Sequence, residues 1–266
     1  ALENLYPGTP LADDIAGTRD SISDITIDNL HENFDLFYHP SQMHLLVIGK
    51  FDVDPILQVL KEYDQISQLP SIKMERFPVE KNEVKLNQSC RMDVATPKLA
   101  IGIRGNDDIK EEEKFRYKLM LKLLFSMMFG WTSQRFQSLY EAGKIDNSLT
   151  LEVEVEELFH FVILTMDTQE PVSLSHQFRS AIKQFEKDPD VNQEHLDTIK
   201  SEMFGDFLQG LNSLEYSATQ FEYFSDGSTS YDLPKILQGI SLQDIIKLGR
   251  QFIDQAEMVD YMIFQK

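Results

Sequence analysis

The chain has 266 residues, and 44 Asp and Glu residues against 25 Lys and Arg give it a formal net charge of −19. Hydrophobic residues make up 42% and charged residues 26%, which is typical of a folded globular protein and excludes a disordered chain. The charge argues against binding to the phosphate backbone of nucleic acids and against anchoring to anionic lipid, because both need a basic face. No run approaches about eighteen apolar residues, so we expect no membrane-spanning helix. The length fits about two domains.

The cysteine content and the first residues indicate where the protein is located and whether the chain is part of a longer protein. The single cysteine, Cys90, excludes an internal disulfide and fits a reducing cytoplasm, where we expect the protein. Residues 1–4 hold neither the basic start nor the apolar run of a signal peptide, and they lack an initiator Met. We therefore expect a fragment of a longer protein.

Helical periodicity, alternation and turn residues predict a mixture of helices and strands. The predicted helices cover about 27–38, 55 onward, 111–129, 172–187, 192–224 (with a break at Gly205 or Gly210) and 242–255. The predicted strands are 45–48, 99–103, 149–155, 159–166 and 259–264. Strands separated by long helices favour an α+β packing of layers. The segment 67–84 carries Pro70 and Pro78 without a clear period, and we interpret it as a linker.

A repeat connects the two ends of the chain. Sliding the sequence by 215 residues places 25–48 on 240–263 without a gap, and Thr26 falls on Ser241. Each copy is predicted as a capped helix, a turn and a strand. Two such units can also look alike by chance, and this alternative stays open. The repeat interpretation says that the chain holds the tail of one copy and all of a second, the first starting roughly 130 residues before Ala1.

A search for catalytic chemistry finds no complete motif. Glu194 and His195 resemble the end of the inverted zinc motif H-x-x-E-H, but Val191 stands where the first histidine must be. Zinc needs two imidazoles four residues apart on one helical face, so a surface Glu-His pair is the better interpretation. His160 lies in an apolar predicted strand, where we expect a hydrogen-bonded core histidine. We predict no catalytic residue and no metal ligand in this chain.

Several segments, taken in order, share the pattern of one peptidase family. They are Tyr6-Pro7-x-x-Pro10, Asp14-Ile15-Ala16-Gly17-Thr18-x-x-Ser21-Ile22, Phe37-Tyr38-x-Pro40-Ser41-x-Met43, 45–49 and, more loosely, Phe129-Gly130 to Ser133, Leu139, Gly143, Ile145 and Ser148. With these segments the chain resembles the pitrilysin/insulinase family of zinc metallopeptidases, the inverzincins. The resemblance covers nearly the whole chain, and its first fifty residues carry the most specific part.

The resemblance implies a fold and a place for the metal. Family domains are α+β units in which an antiparallel sheet is backed by helices, and two such domains are joined by a linker. On this pattern 1–66 is the C-terminal tail of the first domain, 67–84 the linker and 85–266 the complete second domain. The family's zinc ligands and its water-activating glutamate belong to the first domain, upstream of Tyr6. Zinc is therefore expected in the full-length parent, and no cofactor in this chain.

The resemblance also implies substrate-proximal positions. Active members often carry an arginine and, seven residues later, a tyrosine in the second domain, which orient and polarise the substrate. Tyr140 and Asn147 stand at these positions, and Tyr140 lacks the permanent charge and fork of a guanidinium. This is similar to members that work in pairs, in which a partner subunit supplies the arginine and tyrosine. Arg135 lies nearby and is a third candidate, although an ordinary surface charge is its simpler interpretation.

Three hypotheses follow. The first is the non-catalytic C-terminal part of a cytoplasmic zinc-dependent peptidase, which forms the wall of a chamber for peptide substrates. It would contact other domains or a homologous partner subunit, in a homodimer or a heterodimer. The second is a catalytically inactive scaffold or assembly subunit of the same fold. The third is a free-standing acidic interaction module, which predicts no structural repeat. Acidic walls would favour basic peptides through electrostatic steering.

Overall fold

The chain folds into two compact units. The computed structural model describes residues 1–39, 41, 43–62, 78–224 and 227–266. The sheet unit consists of Ala1–Ala12, Val79–Leu208 and Glu222–Lys266, and the helical unit consists of Asp13–Pro78 and Gln209–Phe221. Among the described residues, no helix is long and apolar enough to cross a membrane.

The described part of the sheet unit contains one five-stranded sheet in the order β1-β5-β2-β4-β3. Its strands are β1 (Asn87–Met92), β2 (Lys98–Arg104), β3 (Thr150–Val155), β4 (His160–Asp167) and β5 (Glu257–Gln265). Strand β1 runs parallel to β5, and the other neighbouring pairs are antiparallel. The predicted α+β class is confirmed, and β1 is a strand that the sequence analysis did not predict.

Each of the six predicted helical segments contains a helix, in most of them with shifted ends. The described helices are α1 (Leu2–Leu5), α2 (Arg19–Ser23), α3 (Ile27–Phe37), α4 (Val53–Glu62), α5 (Lys114–Phe129), α6 (Gln134–Glu141), α7 (Pro171–Lys183), α8 (Gln193–Gly210), α9 (Leu214–Thr219), α10 (Leu233–Gln238) and α11 (Leu242–Gln255). Of these, α1, α2, α6 and α10 were not predicted. Short 3₁₀ turns lie at Pro10–Ala12, Glu111–Glu113, Phe185–Lys187 and Ser230–Asp232.

The predicted helix over 192–224 is broken at Gly210, and not at Gly205, which lies inside α8. The chain turns back after Gly210 so closely that an added Cβ would lie 2.2 Å from the ring of Tyr216. The Ser213 hydroxyl then accepts a hydrogen bond from the Tyr216 N–H at 3.1 Å and starts α9. The helix therefore ends where the Gly210 backbone packs closely against the Tyr216 ring, and Ser213 caps the next helix.

The main core lies on one side of the sheet. Alternate residues of a strand face opposite sides, and one side packs against α5, α7 and α11. Ile101 of β2, Leu164 of β4 and the rings of Phe125, Phe178 and Phe252 are almost completely buried there. This layer of helices fixes the sheet and the loops that connect it to α5 and α6.

The N-terminal segment covers the other side of the same sheet. Leu5 and Tyr6 pack with Val84, Phe161 and Val259 in a second, smaller cluster. Residues 1–12 are thus part of the sheet unit, although the sequence analysis grouped them with 13–66 as the tail of a first domain. The predicted boundaries at 66 and 85 stay predictions, since much of the predicted linker lies outside the described residues.

Arg104 fastens this covering segment to the sheet. Its side chain is almost completely buried, and one terminal nitrogen donates to the carbonyls of Leu5 at 2.7 Å and Asn82 at 2.9 Å. The guanidinium also pairs with Glu257, with Nε donating to the carboxylate at 3.0 Å. Arg104 therefore bonds to residues on both sides of the segment Asp13–Pro78.

Helix α3 in the helical unit repeats the start of α11. Thr26 accepts a hydrogen bond from the Asn29 N–H at 3.2 Å, and the Asn29 side chain accepts one from the Thr26 N–H at 3.0 Å. Ser241 and Asp244 form the same reciprocal pair at 3.2 and 2.9 Å. Both copies therefore begin with the capped helix that the repeat predicts.

The strand half of the first copy is absent. Residues 45–48 form no strand, so that prediction was wrong. Their counterpart in β5 pairs with β1 and β2, whereas no described strand pairs with 45–48. An extended segment needs a neighbour for its backbone hydrogen bonds. Leu45 and Val47 are exposed as a result.

Candidate functional site

Helix α6 links the end of α5 to the edge of the sheet. The buried hydroxyl of Ser133 accepts a hydrogen bond from the Phe136 N–H at 3.1 Å and starts the helix. At the other end, Gly143 adopts a φ of +65°, and its N–H donates to the Tyr140 carbonyl at 2.9 Å. This turn returns the chain to β3, so both ends of the connection are fixed by local hydrogen bonds.

An apolar pocket of about 240 Å³ lies between the end of α5, the start of α6 and β3. Its main lining residues are Phe129, Trp131, Phe136, Leu149, Leu151 and Leu164, with Asn147 and Thr150 as polar members. Trp131, the only tryptophan of the chain, is 62% exposed, and its indole N–H donates to Glu202 at 2.8 Å. Such an apolar hollow with a few polar groups is suited to an apolar side chain.

Strand β3 is an edge of the sheet, and the hydrogen-bond alternation shows which of its groups face outward. The Gly105 N–H donates to the His160 carbonyl at 3.0 Å, so even-numbered residues of β4 bond to β2. Odd-numbered residues of β4 then bond to β3, opposite its even-numbered positions. The N–H and C=O groups of Leu151, Val153 and Val155 therefore point away from the sheet, and no described residue pairs with them.

The outward edge of β3 is acidic. The side chains of Leu151 and Val153 face the helices, while Glu152 and Glu154 lie on the opposite face. Lys118 of α5 pairs with Glu154 at 3.0 Å from the helical side, around the edge of the strand. Glu152 is exposed and has no cationic partner among the described residues. A strand docked here would meet an apolar pocket on one face and negative charge on the other.

One of the predicted substrate-proximal residues, Asn147, lines this pocket, and a second, Tyr140, contacts a lining residue. Asn147 lies in the turn before β3. Tyr140 is 47% exposed, and its ring stacks on that of Phe136, a lining residue, at 5.8 Å. Their roles toward a substrate stay predictions. The apolar lining itself was not predicted, because it combines side chains that are far apart in sequence.

Arg135 is not the ordinary surface charge that the simpler interpretation of the sequence predicted. Its guanidinium forms an ion pair with the buried carboxylate of Asp188 and lies over the ring of Phe129 at 5.7 Å. Its side chain is only 28% exposed, and its Nε has no hydrogen-bond partner among the described residues. It is therefore a fixed, partly buried cation and not an ordinary surface charge.

The histidines that the sequence analysis considered form hydrogen bonds inside the protein. His160 is buried and bonds through Nε2 to Asp107 at 2.8 Å, which confirms the predicted core histidine. His195 contacts the Thr132 hydroxyl at 2.9 Å and the Asp190 carbonyl at 3.1 Å. Within the described ranges, no group of three or more His, Cys, Asp or Glu side chains could hold a metal ion.

Asp107 is the centre of a buried polar network. Besides His160, it accepts hydrogen bonds from the Tyr117 hydroxyl at 2.8 Å and the Gln251 amide at 3.1 Å. Burial by itself would raise the pKa of Asp107, but the hydrogen bonds from His160 and Tyr117 lower it below its ordinary value. Burial and the Asp107 charge raise the pKa of Tyr117, which stays a neutral donor. The network joins β4, α5 and α11.

These features define a class of protein: an α+β domain with a pocket beside a strand edge and, among its described residues, no metal centre. The chain belongs to the family described as the peptidase M16 inactive domain, whose family model matches residues 24–203. This assignment confirms the resemblance to pitrilysin and insulinase that the sequence indicated.

Individual relatives agree with this assignment. The chain is 32% identical over 249 residues to the uncharacterized zinc protease YmfH of Bacillus subtilis (strain 168), a match that covers 92% of this chain and 58% of that protein. An M16-like protein from Alicyclobacillus acidocaldarius has a similar fold, with a TM-score of 0.83 and 21% identity over 100% of this chain and 64% of that one. A protease from Helicobacter pylori has a TM-score of 0.75 and 16% identity, over 99% of this chain and 66% of that one.

Proposed function

We propose that this chain is the non-catalytic C-terminal part of a zinc-dependent peptidase, and that the edge of β3 holds an extended peptide substrate. The observation that carries the proposal is the unpaired row of backbone groups at Leu151, Val153 and Val155 beside the apolar pocket. A peptide can add to such an edge as a further strand, with its backbone giving affinity and alternate side chains giving specificity.

The charge of the edge indicates the class of peptide. Side chains of an added strand alternate between the two faces of the sheet. On one face they reach the pocket formed by Phe129, Trp131 and Phe136, which suits an apolar residue. On the other face they meet Glu152, which suits Lys or Arg. Extended peptides that alternate apolar and basic residues are therefore the expected ligands.

Trp131 provides a direct test, since it lines the pocket and is the only tryptophan. We expect an alternating Leu/Lys peptide without aromatic residues to change its fluorescence in a saturable way. Two further peptides carry N-methyl groups either on the leucines or on the lysines. The backbone N–H groups of an added strand point alternately toward β3 and away from it, so only one of these two peptides has its β3-facing N–H groups blocked. Binding of that peptide should fall at least about tenfold. Equal affinity of both methylated peptides would rule out strand addition.

Variants separate the pocket from the general surface. Leu151→Ala removes a side chain that lines the pocket, and we expect weaker peptide binding. Leu158→Ala is the matched control, because Leu158 is an exposed leucine after β3 that does not line this pocket. Equal losses in both variants would contradict the proposed position of the peptide.

The metal of the parent protein is a separate part of the proposal. The described residues of this chain offer no ligand set that fits zinc, so we place the zinc and its chemistry elsewhere in the parent. The relative from Bacillus subtilis is named a zinc protease, and this chain covers 58% of its length. This chain then contributes chamber wall, substrate contacts and contacts to a homologous partner subunit, in the cytoplasm.

The alternative is a catalytically inactive scaffold or assembly subunit of the same fold. Tyr140 and Asn147, which replace the arginine and tyrosine of active members, favour it unless a partner subunit supplies that pair. Elemental analysis of the full-length parent decides between the two. About one zinc per chain supports the peptidase, and no zinc after metal-replete purification supports the scaffold.

A further inference from the structure

A second pocket of the sheet unit differs in character from the apolar one. It has a volume of about 350 Å³ and lies where α6, α7 and the turn Phe185–Lys187 meet. Its charged and amide lining residues are Arg135, His176, Gln177, Gln184, Lys187 and Asp188. Two permanent cations and an imidazole thus face a single carboxylate, in a chain whose net charge is −19.

Arg135 is held in place by the protein, but its hydrogen-bonding capacity is not filled. The carboxylate of Asp188 is almost completely buried, accepts the backbone N–H of Asp190 at 3.0 Å and pairs with one terminal nitrogen of the guanidinium. The guanidinium also makes a cation–π contact with the ring of Phe129. A guanidinium carries its N–H donors in a fork that matches an oxyanion. The Nε of Arg135 is buried and one terminal nitrogen pairs with Asp188, so the other terminal nitrogen is left for a ligand.

Lys187 makes the pocket positive overall. It is exposed, and no described carboxylate lies within ion-pair distance of its ammonium group. Asp188 offsets the charge of Arg135, which leaves the charge of Lys187 without compensation. His176 also lines the pocket and is exposed.

We propose that this pocket binds the free C-terminal carboxylate of a peptide. Lys187 and Arg135 contact the carboxylate, and the amides of Gln177 and Gln184 bond to the last peptide unit. The volume exceeds that of a bare ion and suits a terminal residue. Arg135 directly precedes Phe136 of the apolar pocket, so the two pockets border the same turn of α6. The choice of a peptide as ligand rests on the proposed function.

The test uses the imidazole of His176 as a local probe. N-acetyl-leucine carries the terminal carboxylate, and N-acetyl-leucinamide is identical without it. We expect the acid to shift the NMR signals of His176 in a saturable way and the amide to leave them unchanged. Lys187→Met should weaken binding of the acid at least fivefold. Lys183→Met, the same change at an exposed position of α7 outside the pocket, should leave it unaltered.

Each other outcome overturns the inference. Equal shifts with acid and amide, or equal behaviour of the two lysine variants, would show that the carboxylate is not recognised here. Tighter binding of inorganic phosphate than of N-acetyl-leucine would assign the pocket to phosphate. The NMR signals of His176 report on this pocket, and the fluorescence of Trp131 reports on the edge of β3. The two experiments can therefore show strand addition without carboxylate binding, or carboxylate binding without strand addition.

Discussion

Leu5 lies directly over Gly102, so the N-terminal segment touches the backbone of the central strand β2. A Cβ atom added at Gly102 would lie 2.9 Å from Leu5 Cδ1 and 3.0 Å from Cγ2 of Val259. Both neighbours are completely buried. The absence of a side chain at Gly102 is therefore what allows α1 to cover the sheet.

This contact predicts that Gly102→Ala destabilises the protein. Neither neighbour can move away easily, so we expect a loss of about 1–3 kcal/mol in the free energy of unfolding. Gly205→Ala is the control: nothing lies within 4 Å of its added Cβ, and alanine favours the helix by up to about 1 kcal/mol. Urea unfolding measures both, and a harmless Gly102→Ala would disprove the close packing.

Arg104→Met tests the fastening of the N-terminal segment. The change leaves the carbonyls of Leu5 and Asn82 without their donor and Glu257 without its cation. We expect a loss of roughly 2–4 kcal/mol in the free energy of unfolding, with the lower end favoured because Glu257 is partly exposed. The control is Arg250→Met, which removes an ion pair to Glu186 at the surface and should change little. Similar losses in both variants would contradict the fastening role.

The Asp107 network predicts a specific dependence on pH. Because the folded-state pKa of Asp107 lies below its ordinary value of 3.8, its charge stabilises the fold above that value. This stabilisation is lost as the pH falls through the lower folded-state pKa. Asp107→Asn should therefore be less stable than wild type at about pH 6, with a smaller difference at about pH 3. Urea unfolding at both pH values gives the difference, and one that is constant with pH would exclude the ionised carboxylate as its cause.

Each element was predictable from sequence to the extent that its own residues carry a local signal. Helix α11 was predicted to the residue, since Ser241 caps it and its apolar residues have a clear period. Strand β1 was missed because it is an edge strand whose residues are mostly polar and exposed. The apolar pocket could not be predicted, because Phe129, Leu151 and Leu164 meet only through the pairing of β3 with β4.

Metal removal should leave this chain unchanged. Since the described residues contain no metal-binding cluster, we expect a chelator to shift neither the thermal unfolding midpoint nor the urea midpoint. Elemental analysis of the same sample should show less than about a tenth of a zinc per chain. Stoichiometric zinc, or a fall in the unfolding midpoint with the chelator, would contradict the placement of the metal elsewhere in the parent.

The repeat provides a prediction that links this chain to its parent. Phe37 and Phe252 occupy equivalent positions in α3 and α11, but Phe37 is 48% exposed while Phe252 is completely buried. In this chain we expect Phe252→Ala to lower the free energy of unfolding by about 3–5 kcal/mol and Phe37→Ala by less than about 0.5 kcal/mol. Urea unfolding of both variants measures the contrast.

The same two variants in the full-length parent then test whether α3 is the tail of a first domain. If the rest of that domain covers α3 as the sheet covers α11, burial of the Phe37 ring should raise the cost of Phe37→Ala to several kcal/mol. If Phe37→Ala stays as mild in the parent as in this chain, the ring is exposed there too. The apolar face of α3 would then have no covering domain, and the assignment of 13–66 to a first-domain tail would be wrong.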